Sequence, residues 1–223
     1  MARTIFITGT DTGVGKTVLT ALLVRFLRAR NVNAAALKPI CSGGRDDARK
    51  IFAAMDDELS LDEINPCYFR APIAPVLAAR RENQKVKLPE VIAHVRKMQK
   101  RFDILIVEGA GGLLSPLGEQ FDSRDLIFKL RATPIVVASN KLGVINQILL
   151  TLEALPENFR SKTKIVLMSP QKTDAASSSN SKLLTEFFDA KRIFQLPWLG
   201  GKIEMAHVLK NSRVQKTFRA LAQ

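Results

Sequence analysis

Two lysines, two carboxylates and a pair of hydroxyls stand at spacings that suit phosphate chemistry. The first group lies in T-G-T-D-T-G-V-G-K-T, residues 8–17, where three glycines precede Lys16 and Thr17. Glycine admits backbone angles that a Cβ forbids, so successive N–H groups can turn inward around an anion. Lys16 can then reach the terminal phosphates of a nucleotide, and the Thr17 hydroxyl can ligate Mg²⁺. Five residues separate Gly9 from Gly15, against four in the general pattern, so this loop is a longer variant. Further along stand Lys38 before Pro39, Ser42 before a glycine pair, the adjacent Asp46 and Asp47, and Glu108 before Gly109-Ala110-Gly111-Gly112. Together they offer two mobile cations and the hard oxygens of Thr17, Asp47 and Glu108 for Mg²⁺. Phosphoryl transfer needs such groups, because its rate comes mostly from positioning and from neutralising spreading negative charge.

The elements that must hold these residues are legible from the pattern. Residues 4–8 form a β-branched and aromatic run, and 18–27 an apolar-periodic helix, so the glycine turn lies between strand and helix, where a helix dipole adds to the anion site. Further strands are expected at 33–38, 103–107, 134–139, 163–168 and 193–196. Helices are expected from Asp46 or Asp47, as cap, to about 55, then over 89–101, 123–131, 144–155 and 177–189, with a last one from about Glu204. Residues 40–47 read as a loop, and 56–89, punctuated by Pro66, Pro72 and Pro75, as an irregular excursion. Strands alternating with helices imply one α/β domain spanning the chain, a doubly wound, mostly parallel sheet covered on both faces. Right-handed crossovers gather the strand C-terminal ends, hence 9–17, 38–47, 108–112 and 140–146, along one edge.

Composition agrees and excludes alternatives. The 223 residues, 46% hydrophobic, suit one sizeable core. Lys and Arg outnumber Asp and Glu by 34 to 21, giving +13, which favours anionic partners. The densest basic stretches, 80–101 and 191–219, interleave charge with apolar residues as solvated helix faces do, so nucleic acid is not an expected partner; nor is a membrane, since Arg25 and Arg28 interrupt the best apolar run well short of a bilayer span. Cys41 and Cys67 form no C-x-x-C pair and suit reduced thiols in a cytoplasmic protein. Cys41 reads as a small buried residue, since His94 and His207, the two histidines, fall on helices away from the edge and leave it without an activating base. They also lack metal-ligand spacing, which argues against zinc.

The ordered set of motifs resembles the dethiobiotin synthetases. It comprises G-T-D-T-G-V-G-K-T at 9–17, K-P-I-C-S-G at 38–43, D-A at 47–48, N-P at 65–66, E-G-A-G-G at 108–112, K-L-G-x-I-N at 141–146 and P-W-L at 197–199. The resemblance implies a P-loop fold and an ATP- and Mg²⁺-dependent carboxylation and ring closure, in which 7,8-diaminononanoate and CO₂ give dethiobiotin, ADP and phosphate by way of a carbamate and a mixed anhydride. It assigns Lys16 and Lys38 to the phosphates and carbamate, and Thr17, Asp47 and Glu108 to the metal. Thr12 and Ser42 approach the reacting diamine, and Gly13, Val14, Gly15, Gly109, Ala110 and Gly111 line the nucleotide. Ser169-Pro170 and Pro197-Trp198-Leu199 are placed at the base. A homodimer is implied, with the substrate carboxylate held by the helix start at Gly143 to Asn146 of the other subunit. Two departures stand out: Ser169 occupies the place of the family's adenine-reading Asn, and Gly13 that of an acidic residue in some members. A partitioning ATPase of the ParA/MinD type is the rival reading, but such proteins carry an extra lysine where this loop has Thr10, Asp11 and Thr12.

Overall fold

The protein is described by a computed structural model covering residues 2–199, 208 and 210–223. Six strands, β1 (Arg3–Gly9), β2 (Ala34–Leu37), β5 (Ile104–Glu108), β6 (Thr133–Ser139), β7 (Lys164–Met168) and β8 (Ile193–Leu196), form one sheet in the order β2-β5-β1-β6-β7-β8. Every pairing in it is parallel. Such a sheet must be covered on both faces, and its inner strands are accordingly apolar throughout: Ile5 to Ile7, Leu105 to Val107, Ile135 to Ala138 and Ile165 to Leu167 are fully buried.

Helix α1 (Lys16–Arg28) crosses from β1 to β2 and packs with α2 (Asp46–Ala54) and the terminal helix α10 (Ser212–Ala222). Phe26 and Phe218 meet edge to face at 5.4 Å in that layer. The chain then runs the other way across the sheet, so right-handed crossovers place α5 (Leu88–Gln99), α6 (Ser123–Leu130), α7 (Val144–Glu153) and α9 (Ala175–Leu184) on the opposite face. The reversal leaves a crevice at the C-terminal ends of β1, β2 and β5.

Several expectations need correction. Residues 40–42 are a strand, β3 (Ile40–Ser42), paired in parallel with β4 (Cys67–Phe69). The excursion over 56–89 also holds α3 (Leu61–Ile64) and α4 (Pro75–Arg81). The strands β3 and β4 and the helix α3, of three or four residues, are too short to show a period, and the seven-residue α4 spans barely two turns. Arg45 is the N-cap residue of α2, so Asp46 and Asp47 lie in the first turn and neither caps it. Helix α9 (Ala175–Leu184) starts earlier than expected, because Asp174 caps it by accepting from the Ser177 N–H, and ends five residues short of the expected 189. A further short helix, α8 (Glu157–Arg160), joins α7 to β7; its four residues show no period in the sequence. The terminal helix is described from Ser212; the expected start near Glu204, like His207, lies outside the described residues.

Candidate active site

The phosphate loop leaves β1 at Gly9 and enters α1 at Lys16. Gly13 (φ 74°) and Gly15 (φ 99°) hold left-handed backbone, and a Cβ on Gly15 would also meet the Met168 side chain at 3.0 Å. Gly15 is the N-cap of α1, with no side-chain cap and no acid in the first turn, which leaves the leading N–H groups free for an anion. Lys16 is buried and its Nζ donates to the Asp11 carbonyl at 2.8 Å, closing the loop on itself.

Register brings the second group alongside. Leu37 pairs with Val107 and Ile7 with Glu108, so Lys38 and Glu108 leave neighbouring strands at one level. Lys38 Nζ donates to Glu108 Oε1 at 2.6 Å and to Asp47 Oδ2 at 2.9 Å, while Thr17 Oγ1 donates to the same Glu108 oxygen at 2.7 Å. Lys38 and Glu108 are 4% and 1% exposed, so this is a buried ion pair. Burial opposes the Lys38 charge, but Glu108 and Asp47 outweigh it and raise the ammonium above the usual lysine range. Burial likewise pushes the Asp47 carboxyl up, and Lys38 outweighs it and holds it low. Lys16 differs: burial first, then the neighbouring Lys38 charge, lower it to about 8. Of the two adjacent acids, Asp47 reaches the rim; Asp46 pairs with Arg49 on the surface.

A buried amide ties these groups from behind. The fully buried Asn65 donates through Nδ2 to the Lys38 carbonyl at 2.7 Å and the Cys67 carbonyl at 3.2 Å. Its Oδ1 accepts from Arg45 Nε at 3.2 Å, and the Arg45 guanidinium also donates to the Leu61 and Asn65 carbonyls and stacks on Tyr68. Arg45 lies two residues before Asp47, so one amide couples the backbone positions of Lys38 and Asp47. The N-P motif signals Asn65 in the sequence; Lys38 and Arg45, its partners at the site, lie 27 and 20 residues away, too far along the chain for spacing to reveal them.

Two cavities open on either side of the loop. One, of about 620 Å³, is bordered by Thr12, Lys16, Thr17, Lys38, Ser42, Asp47, Ala110 and Gly111. The other, of about 700 Å³, is bordered by Val14, Asn140, Met168, Ser169, Pro170 and Pro197-Trp198-Leu199. Gly13, Gly15 and Thr17 border both. The β7–β8 register, Met168 opposite Leu196, brings 169–170 and 197–199 together. Ser169 accepts from Gln195 Nε2 at 3.0 Å, and Asn140 is fixed through Asn180 at 2.9 Å and the Ser177 carbonyl at 2.8 Å.

Other residues fall elsewhere. Gly109 borders neither cavity; it is buried, and a Cβ there would meet Ser123 at 2.6 Å and Phe6 at 3.1 Å. Gly143 and Asn146 also border neither and are exposed at the start of α7. His94 lies on α5, with Nε2 2.7 Å from the Glu63 carbonyl. Cys41 is buried but borders the first cavity, and burial pushes its thiol up, away from nucleophilic use. Lys50, Ser115 and Pro116 border that cavity and carry no sequence signal, and Pro72 and Pro75, legible only as chain breakers, border it too. A third concavity, of about 630 Å³, is bordered by Arg96, Lys129, Arg131 and Lys162 and has neither a glycine loop nor a carboxylate.

Comparison with known proteins matches these features. The family described as "AAA domain" covers residues 3–209. Among solved structures, a ParA family ATPase from Chlorobium tepidum TLS superposes over the whole of both chains with a TM-score of 0.60 at 13% identity, a likeness of fold alone. Among curated relatives, the ATP-dependent dethiobiotin synthetase BioD of Akkermansia muciniphila is 36% identical over 87% of this chain and 92% of its own. That of Anaeromyxobacter sp. (strain Fw109-5) is 41% identical over 78% and 80%. The chain therefore belongs to the ATP-dependent dethiobiotin synthetase family, an ATP-dependent ligase on a P-loop sheet.

Proposed function

We propose that the rim between the two cavities joins CO₂ to 7,8-diaminononanoate and closes the ring, with ATP spanning the phosphate loop. The observation that carries this reading is Lys38, buried and held charged between Asp47 and Glu108 beside the loop. An amine of the substrate takes up CO₂ and loses a proton to give a carbamate, next to Thr12, Ser42 and Lys38. A carbamate oxygen attacks the γ-phosphorus, and the bond to the bridging oxygen breaks as ADP leaves. The second amine attacks the carbamoyl carbon, loses a proton and expels phosphate, forming the cyclic urea. Carbamate, triphosphate and anhydride are all anionic, so Lys16, Lys38 and the loop N–H groups are complementary to every species on this path.

Magnesium fits the donor set. Thr17 Oγ1, Asp47 and Glu108 are hard oxygens, and Glu108 Oε2 is buried with no partner among the described residues. Bound there, the ion would neutralise charge on the β- and γ-phosphates. No helix among the described residues is long and apolar enough to cross a membrane. Both cysteines are free thiols, which suits an enzyme of the reducing cytoplasm. At α7, Gly143 (φ 88°) leads a first turn without acids, and Leu142 and Leu150 are 83% and 64% exposed. That surface suits a homodimer in which this helix start receives the substrate carboxylate from the other subunit.

Two expected results follow here. With Lys16 lowered to about 8, it is largely neutral in the free enzyme above that pH, and bound triphosphate restores its proton. Calorimetry of ATP binding in buffers of different ionisation enthalpy should show proton uptake at pH 8.5 that fades by pH 6.5; pH-independent proton exchange would contradict it. Ser169 offers the base a single hydroxyl in place of the paired donor and acceptor of an amide, so GTP and CTP should support measurable turnover. Absence of any turnover with either, under conditions where ATP saturates normally, would contradict the role given to Ser169.

Mass spectrometry of products from the diamine, ¹³C-bicarbonate and MgATP tests the function. Labelled dethiobiotin is expected. ATP hydrolysis stimulated by DNA or lipid vesicles, and indifferent to the diamine, would instead support the ParA-type reading.

A further inference from the structure

Five residues border both cavities: Gly13, Gly15, Thr17, Val18 and Lys50. Four belong to the phosphate loop and the first turn of α1, whereas Lys50 comes from α2. It stands three residues beyond Asp47 and therefore on the same face of that helix. Asp47 is bridged by Lys38, with Lys50 adding a longer-range attraction to the same carboxylate, and no direct ion pair among the described residues includes Lys50. Lys50 is exposed, while Lys16 and Lys38 are buried at the floor. A solvated helix lysine usually faces bulk water; this one faces the passage between two clefts.

A nucleoside triphosphate with its base in one cavity and its γ-phosphate in the other must thread that shared boundary. Its α- and β-phosphates then lie against the loop on one side and face α2 on the other. We propose that Lys50 is a third phosphate-binding cation, closing over the non-bridging oxygens of the α- and β-phosphates. An ammonium on a flexible four-carbon stem suits this task, because it meets a moving polyanion as a point charge without a fixed geometry. Its contact is blind to the base, and so adds affinity that the single hydroxyl of Ser169 does not supply. The inference rests on the reading that the two cavities hold one nucleotide.

Calorimetric titration of the native protein and of its Lys50→Ala, Lys50→Arg and Lys16→Ala variants with MgATP, MgGTP and inorganic tripolyphosphate tests it. Lys50→Ala is expected to weaken all three ligands alike, by about tenfold, the size of one charge-assisted contact. It should also flatten the salt dependence of binding, and Lys50→Arg should recover most of the affinity. Unchanged binding by Lys50→Ala, where Lys16→Ala weakens it, would overturn the role of Lys50 and leave the nucleotide site standing. Weakening confined to MgATP, with tripolyphosphate unaffected, would move Lys50 from the phosphates to the base and equally overturn it. If the native protein bound none of the three, the nucleotide reading would fall and Lys50 with it.

Discussion

Replacing Lys38 by Ala or Gln is expected to lower dethiobiotin formation by about a thousandfold, the upper range for removing one preorganised group that meets developing charge. Nucleotide affinity should fall far less, because Lys16 and the amides of the loop lie on a different segment of chain. The substitution also removes the cation from between Asp47 and Glu108. Breaking a buried pair costs about 3 kcal/mol, so the variant should melt earlier yet stay folded, as circular dichroism would report. The pH dependence carries a sign. Lys38 holds the Asp47 carboxyl below its ordinary value against burial, so in the native chain this carboxyl contributes stability above its unfolded pKa of about 4. That contribution is lost as pH falls through the folded value. The stability gap between native and variant should thus be widest near neutrality and narrow in acid; a gap that widens in acid would contradict the assignment, as would retained turnover.

Glu108→Gln should have the second largest effect. Glu108 Oε1 accepts from both Thr17 and Lys38, and Oε2 has no partner among the described residues. An amide keeps one acceptor but loses the charge that holds Lys38 in place and the oxygen best placed for a cation. Turnover is expected to fall about a hundredfold, with the Mg²⁺ concentration for half-maximal activity shifted upward. In the absence of ligand the charge of one partner in the pair Lys38–Glu108 is gone, and a stability loss of about 3 kcal/mol should appear in denaturant titration. Native-like Mg²⁺ dependence would remove Glu108 from the cation site.

What the chain announces in advance is what periodicity and local chemistry can encode. The run from Ile104 to Val107 is apolar on both faces and ends in a carboxylate before small residues, so both a central strand and its rim residue were visible. The glycine loop between strand and helix was equally plain. The D-A pair at 47–48 favours Asp47 over Asp46 without separating them cleanly; adjacent helical residues point about 100° apart, and the contact with Lys38 shows that Asp47 is the one turned inward. The strands β3 and β4 stayed hidden in three residues each. Asn65 could be marked as part of a motif, but its work on Lys38 and Arg45 depends on contacts 20 and 27 residues away in sequence. Lys50 carries no local signal at all, since an exposed helix lysine is ordinary until two cavities are found to meet beside it.

The most direct test of the central claim, that a carbamate and a γ-phosphate are held together between Lys16 and Lys38, follows oxygen. Rapid-quench turnover with ¹⁸O-labelled CO₂, the diamine and MgATP in unlabelled water should place one labelled oxygen in each phosphate released, because a carbamate oxygen that attacks phosphorus leaves with it. Phosphate that carries oxygen from water instead, alongside normal dethiobiotin formation, would contradict the account.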